Sequence, residues 1–188
     1  MNLYYFPNRP TLIPPDKAHI DSLEFSGQYV GELKWNGDNT LLDTNHPTEF
    51  WNRHKERHRF IPNEIMKDEL SKWPKDMVIN AELMNYRTKE IKNILIVHCV
   101  MVWKGKPLIG KTWGDSRKIL DDMPSATCVQ VSEIFQTGFW DKFQTADGAT
   151  IEGIILKNPT GKLVFSTTPI PDVSWMNKIR KPSKKYPF

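Results

Sequence analysis

Polar and apolar positions alternate through Val30-Gly31-Glu32-Leu33-Lys34-Trp35 as in a half-buried strand, and Asn36-Gly37 then supplies turn chemistry. The strand is expected to continue past the turn into Thr40-Leu41-Leu42. Ahead of it, Pro7, Pro10, Pro14 and Pro15 forbid long helices, so 1–27 reads as an extended arm over the domain. Asn63 can cap a short helix over 64–70, with Pro74 stopping the chain beyond it. A strand is expected over 77–83. The nearly continuous apolar run from Ile94 to Trp103 suggests a central strand, with His98 its polar interruption and a turn at 104–107. Asp115 or Ser116 is the expected cap of a helix through Arg117, Ile119 and Leu120, followed by a strand at Val129-Gln130-Val131. Phe139, Trp140 and Phe143 fall at helical spacing and read as core. After the Asp147-Gly148 turn, 150–157 reads as a strand, 158–161 as a turn, 163–165 as the returning run and 174–181 as a last strand. Strand-rich stretches separated by short capped helices indicate an α+β domain.

Composition narrows this picture a little. At 188 residues the chain is most economically one domain, 1–188, and 39% hydrophobic with 11% aromatic residues marks it as globular. A net charge of +4 is compatible with a phosphate-rich partner without demanding one. Cys99 and Cys128 make neither a disulfide framework nor a zinc cluster. No apolar run approaches the roughly 18 residues of a membrane span, and Met1-Asn2-Leu3-Tyr4-Tyr5 lacks the basic start and apolar run of a signal peptide. A cytoplasmic, reducing location with no membrane partner is therefore expected.

Candidate chemistry begins at Lys34. A strand-borne lysine is usually just a solvated charge, but Glu32 shares its face and Gly37 would let the backbone approach a ligand. Glu82 would project among apolar neighbours, where a carboxylate is costly unless paired or ligating. Glu152 and Lys157 frame an apolar run, and Lys178 and Arg180 share one strand face. Between Phe50 and Phe60, Arg53, Lys55, Arg57 and Arg59 stand against a single Glu56. Cations interleaved with aromatics suit a nucleic-acid backbone, and a solvated basic loop explains them equally well. His54 and His58, four apart, have the spacing of metal ligands on a helix, but no third ligand is evident and no zinc site is expected. His98 reads from its surroundings as a satisfied core histidine.

In order, these features are a lysine in Glu32-Leu33-Lys34-Trp35-Asn36-Gly37, an acid in Asn80-Ala81-Glu82-Leu83, an acid and a lysine in Ile151-Glu152-Gly153-Ile154-Ile155-Leu156-Lys157, and a cationic pair in Trp175-Met176-Asn177-Lys178-Ile179-Arg180. The set resembles the covalent nucleotidyltransferase superfamily of ATP-dependent DNA ligases, RNA ligases and mRNA capping enzymes. Its members carry Lys-x-Asp-Gly, a middle Glu, a Glu-Gly-apolar-apolar-x-Lys strand and a late Lys-x-Lys. The resemblance covers roughly 30–182, and Glu32 with Trp175 makes it more like a DNA ligase. It implies two twisted, mostly antiparallel sheets flanked by helices around a nucleotide cleft, in the ATP-grasp-like manner.

By the same resemblance Lys34 is the nucleophile that takes AMP from ATP. Lys157, Lys178 and Arg180 supply phosphate-binding charge, and Glu152 with Glu82 holds Mg²⁺ or Mn²⁺. Glu32 accepts from the adenine amino group, Glu82 also reaches the ribose, and His98 falls where a base-stacking phenylalanine is usual. Asn36 and Gly37 complete the nucleotide set. A lysine amine of ordinary basicity costs about 4–5 kcal/mol to deprotonate at pH 7, so neighbouring cations that ease proton loss also neutralise phosphates. The implied partners are ATP and a nicked DNA or RNA duplex, with a DNA preference and an RNA ligase as the alternative. Several positions depart from the pattern. Asn36 replaces aspartate, Asn39 an arginine that commonly grips the substrate phosphate, and Cys99 an aspartate; the basic stretch 53–59 is a candidate substitute for that arginine. These departures also admit a nucleotide- or nucleic-acid-binding module without turnover. The 188-residue sequence stops after the last shared motif, so no C-terminal oligonucleotide-binding barrel is expected within it, and a minimal stand-alone ligase, a fragment, or a module whose clamp another subunit completes are the alternatives.

Overall fold

Cross-strand pairing divides the chain between two sheets. In the computed structural model, which describes residues 4–88 and 90–182, the first half contains β1 (Arg9–Leu12), α1 (Lys17–Phe25), β2 (Val30–Trp35), β3 (Asp38–Asp43), β4 (Phe50–Asn52), α2 (Glu64–Ser71) and β5 (Val78–Met84). The second contains β6 (Ile94–Trp103), β7 (Lys106–Pro107), α3 (Trp113–Asp121), β8 (Val129–Val131), β9 (Ile134–Phe135), α4 (Phe139–Thr145), β10 (Ile151–Lys157) and β11 (Asp172–Arg180). Met1 to Leu3 of the N-terminal stretch lie outside the described residues. Among the described residues no helix is long and apolar enough to cross a membrane.

One sheet runs β1-β11-β10-β2-β9 and the other β4-β3-β5-β6-β7, with β8 also on β6. Only β1 on β11 and β8 on β6 are parallel. The fold is thus α+β with two mostly antiparallel sheets. β2 and β3 are not one strand: the chain leaves the first sheet at Asn36-Gly37 and enters the second. Two cores result. Ile154, Leu156 and Ile179 of the first sheet pack with Ile20 of α1 and Phe139 and Phe143 of α4. The larger core joins the second sheet, through Leu41, Ile79 and Val97, to Met66 and Leu70 of α2 and Trp113 and Leu120 of α3.

The helices are fixed by polar caps and staples. Asn63 accepts from the Met66 N–H at 2.8 Å, as its sequence position suggests. Glu69 on the same helix is buried and takes the N–H groups of Thr127, Cys128 and Val129, fastening α2 to β8. Glu24 at the end of α1 takes those of Gly138 and Phe139, fastening α1 to α4.

Three further expectations need correction. The proline-rich arm contains a strand and a nine-residue helix, because the last proline falls at position 15 and Asp16 caps α1 by accepting from the His19 N–H. The α3 cap is Thr112 rather than Asp115 or Ser116; Asp115 is the reciprocal member of a capping box. The run 163–165 forms no strand, and β11 takes the place beside β10 instead.

Candidate nucleotide cleft

Strand pairing in the first sheet sets the site. Lys34 on β2 lies opposite Gly153 on β10, and Gly153 lies opposite Arg180 on β11. Strict alternation along β10 would send Glu152 to the helix-covered face with Ile154 and Leu156. Instead the register slips between Ile151 and Gly153, and Glu152 lines the same cleft as Ile155 and Lys157. Gly153 makes this possible with φ +153°, and a Cβ there would lie 2.0 Å from the Ile179 carbonyl oxygen. The Lys34 ammonium consequently meets Glu152 Oε2 at 2.6 Å, and Arg180 Nη2 meets the same oxygen at 2.5 Å.

At the other end of β10, Lys157 Nζ pairs with Glu32 Oε2 at 2.8 Å, with both side chains almost wholly buried. The Lys157 ammonium also lies 4.9 Å from the centre of the Trp113 ring. Glu32 Oε1 is buried and has no hydrogen-bond partner among the described residues. Lys178 donates to the Pro10 carbonyl at 2.8 Å, and burial pushes its pKa down, aided by Arg180, Arg9 and Lys34 against the pull of Asp172.

The second sheet supplies the facing wall through Asn80 and Glu82 of β5 and His98 and Cys99 of β6. Glu82 Oε1 accepts the Gly37 N–H at 3.0 Å. A Cβ on Gly37 would come within 2.7 Å of both Glu82 Cγ and the Leu83 carbonyl oxygen, so this glycine admits Glu82 as well as bordering the cleft. Burial, with Glu152 adding to it, raises the Glu82 carboxyl to about 7 against the opposing effects of Lys34, the Gly37 N–H and Arg87. Burial, with Lys157 and Lys34 nearby, lowers His98 to about 3, leaving a neutral imidazole at physiological pH.

The cleft measures about 860 Å³, at the upper end of the usual range for small-ligand sites. It brings together Lys34, Glu32, Gly37, Glu82, His98, Glu152, Lys157, Lys178 and Arg180, with Arg53 also on its wall. It does not gather every candidate. Asn36 turns to donate to the Ala149 carbonyl at 2.7 Å, and it does not line the cleft. Lys55 reaches back to the Thr167 carbonyl across the Tyr4 and Phe6 rings, Arg57 pairs with Glu49, and Arg59 is exposed outside the cleft. His54 lies in a turn and His58 follows the isolated bridge at Arg57, so the two share no helix face although both line the cleft, and among the described residues no three His, Cys, Asp or Glu cluster to hold a metal. Arg9, Asp38 and Arg87 also line the cleft, and no sequence pattern had singled them out.

Solved structures share this fold. The ligase domain of M. tuberculosis LigD is similar over 93% of this chain, with a TM-score of 0.63 and 15% identity. A Lig E DNA ligase structure is similar over 92%, at TM-score 0.59 and 14% identity. The fold is that of a ligase nucleotidyltransferase domain. An archaeal ATP-dependent RNA ligase shares this ligase fold over 93% of the chain, at TM-score 0.54 and 13% identity. The chain spans 59%, 68% and 48% of those three proteins, respectively. Neither a protein-family model nor a curated protein matches the sequence.

Proposed function

We propose that this chain is the adenylating domain of an ATP-dependent polynucleotide ligase, acting through a covalent lysyl-AMP on Lys34. The observation that carries the reading is the contact of one carboxylate, Glu152, with both Lys34 and Arg180, in a cleft that also holds Glu82, His98 and Lys178. Glu152 holds the amine in place and is positioned to accept its proton. The freed Lys34 nitrogen attacks the α-phosphorus of ATP; the N–P bond forms as the P–O bond to pyrophosphate breaks. Lys178 and Arg180 take the phosphate charge. The neutral His98 ring stacks on the base, and the unpartnered Glu32 Oε1 accepts from its amino group. In the next steps a strand's 5′-phosphate oxygen takes the AMP from Lys34, and a 3′-hydroxyl displaces AMP to seal the nick.

The two acids suit a hard divalent ion, Mg²⁺ or Mn²⁺, because such ions commonly use one or two carboxylates and complete their shell with water and substrate phosphate. Glu82 and Glu152 would hold it. When bound it draws charge from the phosphates. Lys34 and Arg180 already occupy one oxygen of Glu152, so the chain's own cations share that carboxylate with the ion.

Incubating the chain with Mg²⁺ and ATP labelled on the α-phosphate should leave an acid-labile, base-stable protein label that Lys34→Ala removes. Persistence of the label in that variant would sink the reading. Nicked duplexes with deoxyribose or ribose on the 3′ side then separate a DNA ligase, which the Glu32 position favours, from an RNA ligase. One observation favours a second reading, a nucleotide-binding module without turnover: Asn36, in the place of the family's aspartate, is engaged by Ala149. That module would bind ATP or nicked duplex and form no adduct with any metal.

A further inference from the structure

The positive charges inside the cleft are largely committed. Lys34 and Arg180 share Glu152, and Lys157 is matched by Glu32. Three exposed arginines that also line the cleft are held differently. Arg9 is ion-paired with its Nε 3.2 Å from Asp172 Oδ1, and Arg87 donates through Nε to Asp38 Oδ1 at 2.8 Å. Arg53 donates through Nε to His54 Nε2 at 3.2 Å. In all three the terminal amino groups make no hydrogen bond among the described residues. They come from β1, the turn after β4 and the loop after β5, three elements far apart in sequence.

A guanidinium fixed at Nε keeps its two-pronged amino edge free in a set orientation. That edge matches the paired oxygens of a phosphate, which a lysine point charge does not. Ion pairs as exposed as Arg9–Asp172 and Arg87–Asp38 add little to stability, so their placement around one cavity is better accounted for by aiming the arginines than by holding the fold together. Asp38 and Asp172 aim the side chains while leaving the phosphate-facing edge open. The remainder of the basic stretch is differently placed: Lys55 is turned onto aromatic rings, Arg57 is paired with Glu49 through a terminal amino group, and neither lines the cleft.

We propose that Arg9, Arg53 and Arg87 form a phosphate-receiving rim that seats the backbone of a nucleic-acid strand at the mouth of the cleft. The inference deepens the ligase reading and rests on it for the identity of the strand. Bound there, a strand end lies beside the cleft that holds Lys34. The recognition is of phosphate rather than base, so it tolerates any sequence.

The test uses the full chain, without ATP, and a nicked duplex carrying a 5′-phosphate at the nick, with binding followed by fluorescence anisotropy from low to moderate salt. Each phosphate contact contributes about 0.7–0.9 to the slope of log affinity against log salt. The triple variant Arg9→Ala, Arg53→Ala, Arg87→Ala should therefore lose about 2 from that slope and bind roughly tenfold or more weakly near physiological salt. Arg87→Lys should keep the slope while losing affinity, because it keeps the charge without the fork. An unchanged slope in the triple variant, no binding by the wild type, or an equal loss in Arg57→Ala with Arg59→Ala would overturn the rim. So would a triple variant that keeps its slope but loses the α-phosphate label, which would give these arginines to the nucleotide. If the wild type forms no adduct and the triple variant still loses its slope, the rim stands and the ligase chemistry fails.

Discussion

The two ends of β10 carry the same pair of residue types in opposite arrangement. Near its start an acid, Glu152, meets a lysine of β2; at its close a lysine, Lys157, meets an acid of β2. The first pair keeps 14% and 17% of its side chains exposed and shares its acid with Arg180, whereas the second is only 4% and 3% exposed and leaves one carboxylate oxygen unmatched. A lysine that can be reached and whose acid has a second cation can give up its charge without stranding the acid. A lysine sealed against a buried acid cannot. Under the proposed ligase reading the difference would give chemistry to Lys34 and positioning to Lys157, although both are lysines on neighbouring strands of one sheet.

Four substitutions probe that contrast, in descending order of effect. Lys34→Ala should abolish the lysyl adduct while the urea midpoint shifts little, because Glu152 retains Arg180; a folded protein that still labels breaks the comparison. Lys157→Met strands the Glu32 carboxylate and should cost about 3–5 kcal/mol in urea unfolding, while adding Glu32→Gln should recover much of it. Gly153→Ala forces a side chain into a left-handed backbone against the Ile179 carbonyl and should cost roughly 2–3 kcal/mol, with weaker labelling as Glu152 loses its aim.

The smallest effect is on pH dependence. His98 is lowered to about 3 from an ordinary value of 6.5, chiefly by burial, so the folded chain disfavours its protonation. Its contribution to stability is complete above pH 6.5 and declines as pH falls from there toward 3. Thermal melts of His98→Phe should therefore lose less stability than wild type between pH 7 and 5. Equal losses would remove His98 from the interior of the cleft.

Local signals read well from sequence where a single element carried them. The apolar run from Ile94 to Trp103 is β6 to the residue, and Asn63 caps α2. The four motif stretches fall on strands that the sheets bring to one cleft. Asp115 or Ser116 stood out as the α3 cap and Thr112 was missed, because Asp115 does bond a backbone N–H at the helix start, that of Thr112 itself, as the reciprocal member of the capping box. The basic stretch divided because it is a turn, where spacing does not determine facing; only Arg53 among its candidate cations reaches the cleft wall. Gly37 carried a signal for close backbone approach, but the partner it admits, Glu82, arrives from 45 residues away. Arg9 and Arg87 belong to no motif at all, since only the closing of the sheets places them near Arg53.

The central claim is that the amine poised on Glu152 is the group that takes AMP. Mass spectrometry of peptides from the wild-type chain, after incubation with ATP and Mg²⁺, tests it most directly. The expected result is one added AMP on the peptide carrying Lys34 and none on those carrying Lys157 or Lys178. A modified Lys157 or Lys178, or an unmodified Lys34 in a chain that binds ATP, would contradict it.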